Sequence, residues 1–169
     1  MQKMIIANVK TAEYQGLNLN QIFDPNGQHE HSFEFQRNFV CSPFTGNGGK
    51  LEIFFYTLQP GKANYPYHYH VANEEVYYIV SGQGTLKTPE GEKVVSKGDI
   101  IVMPANENGA HMLINTSDEP LTYIEVKTAI TPDIGIRPEE GKFSVLGGPG
   151  EIFLKTYKMD SDVNYLGGE

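Results

Sequence analysis

Residues 51–84 read LEIFFYTLQPGKANYPYHYHVANEEVYYIVSGQG, and this stretch decides the fold. Residues 51–58 are mostly apolar or aromatic and are followed by Pro60-Gly61, which is a typical strand end. A second run of this kind, residues 76–80, stops at Ser81-Gly82. The segment between the two runs is rich in turn residues and histidine. The stretch therefore predicts two β-strands with no helix between them.

Further short apolar runs follow at a spacing of about 8–12 residues, which favours an all-β sandwich or barrel over alternating strands and helices. The predicted strands that follow are residues 85–88, 93–95, 99–103, 111–115 and 121–127. The hairpin between the first two turns at Pro89-Glu90-Gly91-Glu92.

The loop between the first two strands carries the candidate chemistry. His68 and His70 are separated by one residue, so on a strand both imidazoles point to the same face. Glu75 opens the next strand, and its carboxylate can face the same point if the two strands pair antiparallel. His111 begins a later strand, after the turn at Pro104. Three imidazoles and one carboxylate suit a divalent transition metal with room left for substrate.

The spacing of two histidines is weak on its own, because a single histidine is more often a hydrogen-bonded structural residue. His29-Glu30-His31 has the same spacing but lies in a polar stretch without the strand pattern that follows His70. We therefore expect His29 and His31 to lie on a solvated arm.

The combined pattern resembles the two motifs of the cupin family. The first motif is a glycine, two histidines, a glutamate and a closing glycine, and here these are Gly61, His68, His70, Glu75 and Gly82. The second motif is a glycine, a proline, a histidine and an asparagine, and here these are Gly98, Pro104, His111 and Asn115. The spacing from Gly61 to His68 is one residue longer than usual, and that from Pro104 to His111 is two residues longer; both insertions fall in loops.

The resemblance implies a double-stranded β-helix, or jelly-roll barrel, at residues 51–129, with irregular arms at residues 1–50 and 130–169. We expect the N-terminal arm to contain strands that pack on the barrel. It implies one divalent metal (Mn, Fe, Ni, Co, Cu or Zn) on His68, His70, Glu75 and His111. The tail at residues 158–169 resembles that of small bacterial cupins, some of which carry sugar-phosphate isomerase names. We expect it to pack on the barrel.

Three function classes remain open. A cupin dioxygenase would bind substrate oxygens at the metal, and Glu75 could act there as ligand and proton acceptor. An aldose–ketose isomerase or epimerase would need cationic groups for a sugar phosphate, and four lysines are candidates: Lys50, Lys62, Lys87 and Lys127. A non-catalytic module would bind a metal or a small molecule without turnover. We rank an enzyme first.

Composition narrows the classes of molecule that we expect the protein to bind. The formal net charge of -8 disfavours nucleic acid, and no basic run suits an anionic membrane. No stretch has the length of a signal peptide or membrane span, and the single Cys41 forms no internal disulfide. We expect a cytoplasmic protein with a small-molecule substrate. We also expect a homodimer, because residues 4–9 read as a strand without a partner in the barrel.

Overall fold

The computed structural model describes residues 4–45, 49–147, 154–161 and 163. Fourteen β-strands carry the architecture: β1 (Gln15–Asn18), β2 (Ser32–Cys41), β3 (Leu51–Leu58), β4 (Lys62–Ala63), β5 (Tyr69–His70), β6 (Glu75–Ser81), β7 (Gln83–Thr88), β8 (Gly91–Ser96), β9 (Ile100–Met103), β10 (Met112–Ile114), β11 (Leu121–Thr128), β12 (Asp133–Arg137), β13 (Lys142–Leu146) and β14 (Leu154–Lys158). One helical turn, α1 (Asn20–Phe23), and three 3-10 turns (Pro43–Thr45, Glu107–Gly109 and Pro138–Glu140) complete the described elements.

The strands form two sheets. A ten-stranded sheet has the order β8-β7-β10-β4-β2-β3-β11-β6-β9, with β1 paired to β2. A four-stranded sheet has the order β14-β13-β12-β5. The all-β prediction is confirmed, and the predicted strand at residues 51–58 has the bounds of β3.

The register of the central strands sets the inner face of the large sheet. On β3, β11 and β6, alternate residues turn inward and lie side by side. Three such rows follow one another: Tyr56, Tyr123 and Ile79; then Phe54, Glu125 and Tyr77; then Glu52, Lys127 and Glu75. The rows change from apolar to charged along the strands, so one end of the barrel is a packed core and the other is polar.

The apolar end holds the fold together. Leu58, Leu121, Tyr123 and Ile79 are fully buried in one cluster that also includes Leu113. Burying a side chain of this size stabilises the folded chain by about 1.5–3 kcal/mol. Because this cluster supplies the stability, the polar end can carry ionisable groups that contribute little to it.

Both terminal arms supply strands to the sheets, although we expect strands from the sequence only in the first, residues 1–50. The first arm supplies β2, which lies between β3 and β4 in the large sheet. The last arm supplies β12, β13 and β14, and β12 pairs with β5. Both arms therefore complete the sheets, because each provides strands whose backbone groups pair with the middle of the chain.

Two expectations at the chain ends have different outcomes. Residues 4–9, predicted as a strand, form none, because no other segment of the described chain pairs with them. The homodimer stays a prediction, without the support that this strand would have given. The tail at residues 158–169 is expected to pack on the barrel, and residues 162 and 164–169 of it lie outside the described residues.

None of the described helices has the length and apolar character to span a membrane.

Candidate metal centre

Backbone pairing brings the predicted site residues together. His68 and His111 form an isolated antiparallel bridge, in which each backbone N–H donates to the other residue's carbonyl at 3.1 and 2.9 Å. His70 follows on β5, and Glu75 is the first residue of β6. His111 lies just before β10, after the 3-10 turn Glu107–Gly109. All four side chains reach the polar end of the barrel.

The histidine strand and the Glu75 strand do not pair with each other, so that condition is not met. β5 pairs with β12 of the C-terminal arm, with His70 opposite Gly135, whereas β6 lies between β11 and β9. The carboxylate still reaches the site, because Glu75 is a buried position of β6 whose oxygens lie 3.4 Å from imidazole nitrogens.

Each histidine is held through its Nδ1 atom. His68 Nδ1 lies 2.8 Å from the carbonyl oxygen of Pro66, and His111 Nδ1 lies 2.9 Å from that of Gly109. His70 Nδ1 lies 2.5 Å from Asp133 Oδ2. Carbonyl and carboxylate oxygens only accept, so Nδ1 carries the proton in each ring. In a neutral imidazole held in this way the lone pair is on Nε2, which is the tautomer that a metal ligand requires.

The free ligand atoms converge on one region. His70 Nε2 lies 3.4 Å from Glu75 Oε1, and His111 Nε2 lies 3.4 Å from Glu75 Oε2. One ligand atom from each of His68, His70 and Glu75 lies within 4.8 Å of the others. Glu75 Oε2 is buried and has no hydrogen-bond partner among the described residues. Lone pairs and a carboxylate at such distances repel one another, and a divalent cation between them would remove the repulsion. The residues thus fit a metal ion.

The protonation states agree with this geometry. Burial, together with the imidazoles of His111 and His70, lowers the pKa of His68 to about 3. Burial also lowers the pKa of His111. Burial alone would raise the pKa of Glu75, but the adjacent imidazoles and the Lys127 ammonium outweigh it and bring this pKa to about 2. At neutral pH, His68 and His111 are neutral and Glu75 is ionised, as metal binding requires.

The fourth candidate ligand, His111, is hydrogen-bonded to a phenol. Tyr77 Oη lies 3.0 Å from His111 Nε2, and since this nitrogen has no proton, the phenol donates. Tyr77 in turn accepts from Asn64 Nδ2 at 3.3 Å, and the same amide reaches the Tyr123 hydroxyl at 3.4 Å. A metal ion that uses His111 must replace the Tyr77 hydrogen bond.

A cavity of about 340 Å³ opens onto His68, His70 and Glu75. Its walls come from the charged row of the barrel, from β2 and from the C-terminal sheet. The polar groups that line it beyond the candidate ligands are Arg37, Glu52, Tyr56, Tyr65, Glu125, Lys127, Asp133, Arg137 and Ser144. This volume holds a small metabolite.

Glu125 is the most unusual of these groups. It is only 4% exposed, and no described side chain or backbone group donates a hydrogen bond to its carboxyl. Burial and the nearby Glu75 carboxylate raise the pKa of Glu125 to about 8. The carboxyl can therefore gain or lose a proton near neutral pH, inside the cavity.

Several of these residues were not identified from the sequence. Asp133, Glu125 and Arg37 carry no local motif and join the site through strand pairing. The alternating apolar pattern of residues 121–127 was the available signal for Glu125, because a charged residue at an inward position breaks that pattern.

The interpretation of His29 and His31 can also be compared with the structure. Their side chains are partly exposed and approach different carboxylates, those of Glu140 and Glu30, at 4.0 Å. They therefore do not converge on one point.

Comparisons with known proteins agree with the fold. Residues 54–127 match the family model Cupin_2, described as a cupin domain. No curated protein matches the chain. A solved structure from Acidithiobacillus ferrooxidans, named "Putative sugar phosphate isomerase", is 25% identical, with a TM-score of 0.64 over 76% of this chain and 80% of that one.

Two more solved structures share the fold at lower identity. A sugar phosphate isomerase of the cupin superfamily from Silicibacter pomeroyi is 19% identical, with a TM-score of 0.70 over 91% of this chain and 92% of that one. A "predicted oxalate decarboxylase" from Thermotoga maritima is 17% identical, with a TM-score of 0.60 over 75% and 100%. The chain therefore has the cupin fold, and residues 54–127 match the model of a cupin domain.

Proposed function

We propose that this protein is a metal-dependent enzyme that acts on a small, oxygen-rich metabolite. One divalent transition metal ion is held by His68, His70, Glu75 and His111. The observation that carries the proposal is the convergence of imidazole nitrogens with a buried carboxylate oxygen that has no hydrogen-bond partner among the described residues, in the wall of an open cavity. A structural metal site would be closed, whereas this one faces space for a ligand.

The chain's own residues prepare the site. Pro66, Asp133 and Gly109 hold the three rings by their Nδ1 atoms, so the Nε2 atoms keep their direction without a ligand. When bound, a divalent metal supplies a Lewis acid that polarises a substrate oxygen. Mn, Fe, Co, Ni, Cu and Zn all accept this set of nitrogen and oxygen donors.

Glu125 favours an isomerase over an oxygenase. Isomerisation of a hydroxy-carbonyl compound requires a group that removes a proton from one carbon and returns it to the next. Glu125 is a buried carboxyl that lines the cavity and has its pKa near neutrality. The low pKa of Glu75 suits a metal ligand better than a base; its role as proton acceptor stays a prediction. The name of the Acidithiobacillus ferrooxidans protein supports the same class.

A turnover experiment in heavy water tests the proposal. Purified protein, reconstituted with each metal separately, is incubated with aldose and ketose phosphates and with the corresponding free sugars. Proton NMR detects interconversion and deuterium incorporation at the exchanging carbon, and an oxygen electrode is read in parallel. We expect deuterium incorporation that depends on metal and is lost in Glu125→Gln but kept in Glu90→Gln, a control at the exposed residue that pairs with Lys93.

The alternative classes give different results in the same experiment. Oxygen consumption coupled to substrate loss would indicate a dioxygenase. A small molecule retained through purification, with no turnover in any metal form, would indicate a non-catalytic binding module. Either result would contradict the isomerase proposal.

A further inference from the structure

Arg37 is a cation in the cavity that has no ionic partner among the described residues. It lies on β2 opposite Tyr56 of β3. Its guanidinium carbon is 4.3 Å from the Phe39 ring centroid and 5.5 Å from that of Phe54. Its Nη1 donates to the Tyr65 hydroxyl at 3.3 Å, and its Nε is buried without a hydrogen-bond partner among the described residues. No carboxylate of the described chain lies within 4.0 Å of its nitrogens.

The other two cations of the cavity differ in this respect. Lys127 Nζ lies 3.5 Å from Glu52 Oε2, and Arg137 Nη1 lies 3.4 Å from Glu140 Oε2. A guanidinium stacked on aromatic rings, with free donors and no carboxylate beside it, is the usual arrangement of an anion-binding arginine. Leaving a desolvated charge unpaired is costly, so a ligand that brings an anion to Arg37 would gain binding energy there.

The carboxylates of the cavity lie beside other groups than Arg37. Glu52 lies beside Lys127, and Glu140 lies beside Arg137. The carboxylates of Glu75 and Asp133 both face His70. Arg37 is therefore the cavity cation that no carboxylate of the described chain contacts within 4.0 Å.

One aromatic side chain separates Arg37 from the metal ligands. The Tyr65 hydroxyl accepts from Arg37, and the Tyr65 ring lies 6.0 Å from the His68 ring, centroid to centroid. A molecule of a few carbon atoms in the cavity can reach the guanidinium at one end and the imidazoles at the other.

We propose that Arg37 binds an anionic group of the substrate, a carboxylate or a phosphate, whose hydroxyl or carbonyl oxygens face His68, His70 and Glu75. The substrate class is a small hydroxylated anion. The orientation of its oxygens rests on the proposed function, whereas the anion contact with Arg37 does not.

Isothermal titration with three matched probes tests this inference. Glycerol, D-glycerate and glycerol 3-phosphate share a three-carbon skeleton and differ in charged group. They are titrated into zinc-loaded protein and into protein stripped of metal with a chelator. We expect both anions, or one of them, to bind about tenfold or more tighter than glycerol in both forms. The stronger of the two anions identifies carboxylate or phosphate as the preferred group.

Two variants of Arg37 make the test specific. Arg37→Met keeps an unbranched chain against Phe39 and Phe54, and it should lose about tenfold or more in anion affinity while its affinity for glycerol is unchanged. Arg37→Lys keeps the charge without the planar donors and should be intermediate. Lys93→Met removes a charge from an exposed position and should bind as wild type. Circular dichroism confirms that each variant is folded.

The outcomes separate the inference from the proposed function. Equal anion affinity in wild type and both Arg37 variants, or anions that bind no tighter than glycerol, would overturn the inference. Metal content is measured in every sample. A protein that takes up no metal, yet binds anions through Arg37, would contradict the proposed function and support the inference.

Discussion

His70 and Asp133 lie 63 residues apart in the sequence and are joined by a hydrogen bond of 2.5 Å between Nδ1 and Oδ2. The contact exists because β12 pairs with β5 and places Gly135 opposite His70. The buried Asp133 carboxylate fixes the tautomer and the direction of the His70 ring. The other nitrogen of that ring, Nε2, lies 3.4 Å from Glu75 Oε1. The C-terminal sheet is therefore part of the candidate metal centre.

Substitution of Asp133 by asparagine should weaken metal binding without unfolding the chain. Asp133 Oδ1 accepts from the backbone N–H of Ala72 and Ile134, and asparagine keeps this acceptor while losing the charge that orients His70. We expect a loss of about 10–100-fold in zinc affinity, measured by competition with a fluorescent chelator. Asp24→Asn is the control, since that carboxylate also accepts two backbone N–H groups but lies in a loop. Unchanged affinity in Asp133→Asn would contradict the role given to this residue.

Tyr77→Phe should strengthen metal binding. The Tyr77 phenol donates to His111 Nε2, and this hydrogen bond must be broken before His111 can act as a ligand. A hydrogen bond contributes about 1 kcal/mol net, so we expect zinc affinity to rise by about fivefold. Tyr123→Phe is the matched control, because this hydroxyl also contacts Asn64 but is not bonded to His111. A weaker zinc affinity in Tyr77→Phe would show that the phenol supports the metal site.

Gly109→Ala should disturb both the fold and the site. A Cβ at residue 109 would collide with the backbone carbonyl oxygen of Pro104, and the carbonyl of Gly109 accepts the hydrogen bond that orients His111. We expect a destabilisation of about 1–3 kcal/mol in urea unfolding, together with weaker zinc binding. Gly16→Ala, where the new methyl group meets open space, should change neither quantity. Equal stability of the two variants would exclude the predicted collision.

Glu125→Gln should stabilise the metal-free protein most at alkaline pH. Burial raises the pKa of Glu125 from 4.5 to about 8 in the folded state. Between these values the folded chain holds a proton that the unfolded chain has released, so the contribution of Glu125 to the free energy of unfolding falls as pH rises and is constant above pH 8. Glutamine removes this titration. The stability difference between variant and wild type should therefore grow from pH 5 to pH 9, by up to about 1.4 kcal/mol for each pH unit between the two pKa values.

Urea unfolding at pH 5, 7 and 9 measures this difference. Glu90→Gln, at an exposed residue, should show no comparable trend with pH. A difference for Glu125→Gln that is constant with pH would mean that the Glu125 carboxyl is ionised in the folded state throughout this range.

The sequence was sufficient for features that depend on local pattern. The alternation around His68 and His70, the strand that opens at Glu75 and the strand bounds of residues 51–58 follow from a period of two and from glycine and proline at strand ends. The expected ligand quartet rests on the family resemblance. The structure groups ligand atoms of His68, His70 and Glu75 within 4.8 Å, whereas His111 Nε2 is hydrogen-bonded to Tyr77, and the quartet stays a prediction.

Other features depend on which distant strands pair, and local pattern does not report this. Asp133 reaches His70 only because β5 pairs with β12 rather than with β6, and Arg37 faces the cavity only because β2 lies beside β3. The direction of His111 depends on the 3-10 turn Glu107–Gly109, which lies in the lengthened loop. Residues 4–9 show the opposite error, since an apolar run forms a strand only where a partner strand exists.

We propose that His68, His70, Glu75 and His111 hold one divalent metal ion. The decisive measurement is elemental analysis of purified, untagged protein, beside a His68→Ala/His70→Ala variant with the same fold by circular dichroism. We expect about one metal ion per chain in the wild type, before or after reconstitution near neutral pH, and its loss in the variant. No metal in the wild type after reconstitution, or the same metal content in both proteins, would exclude this site.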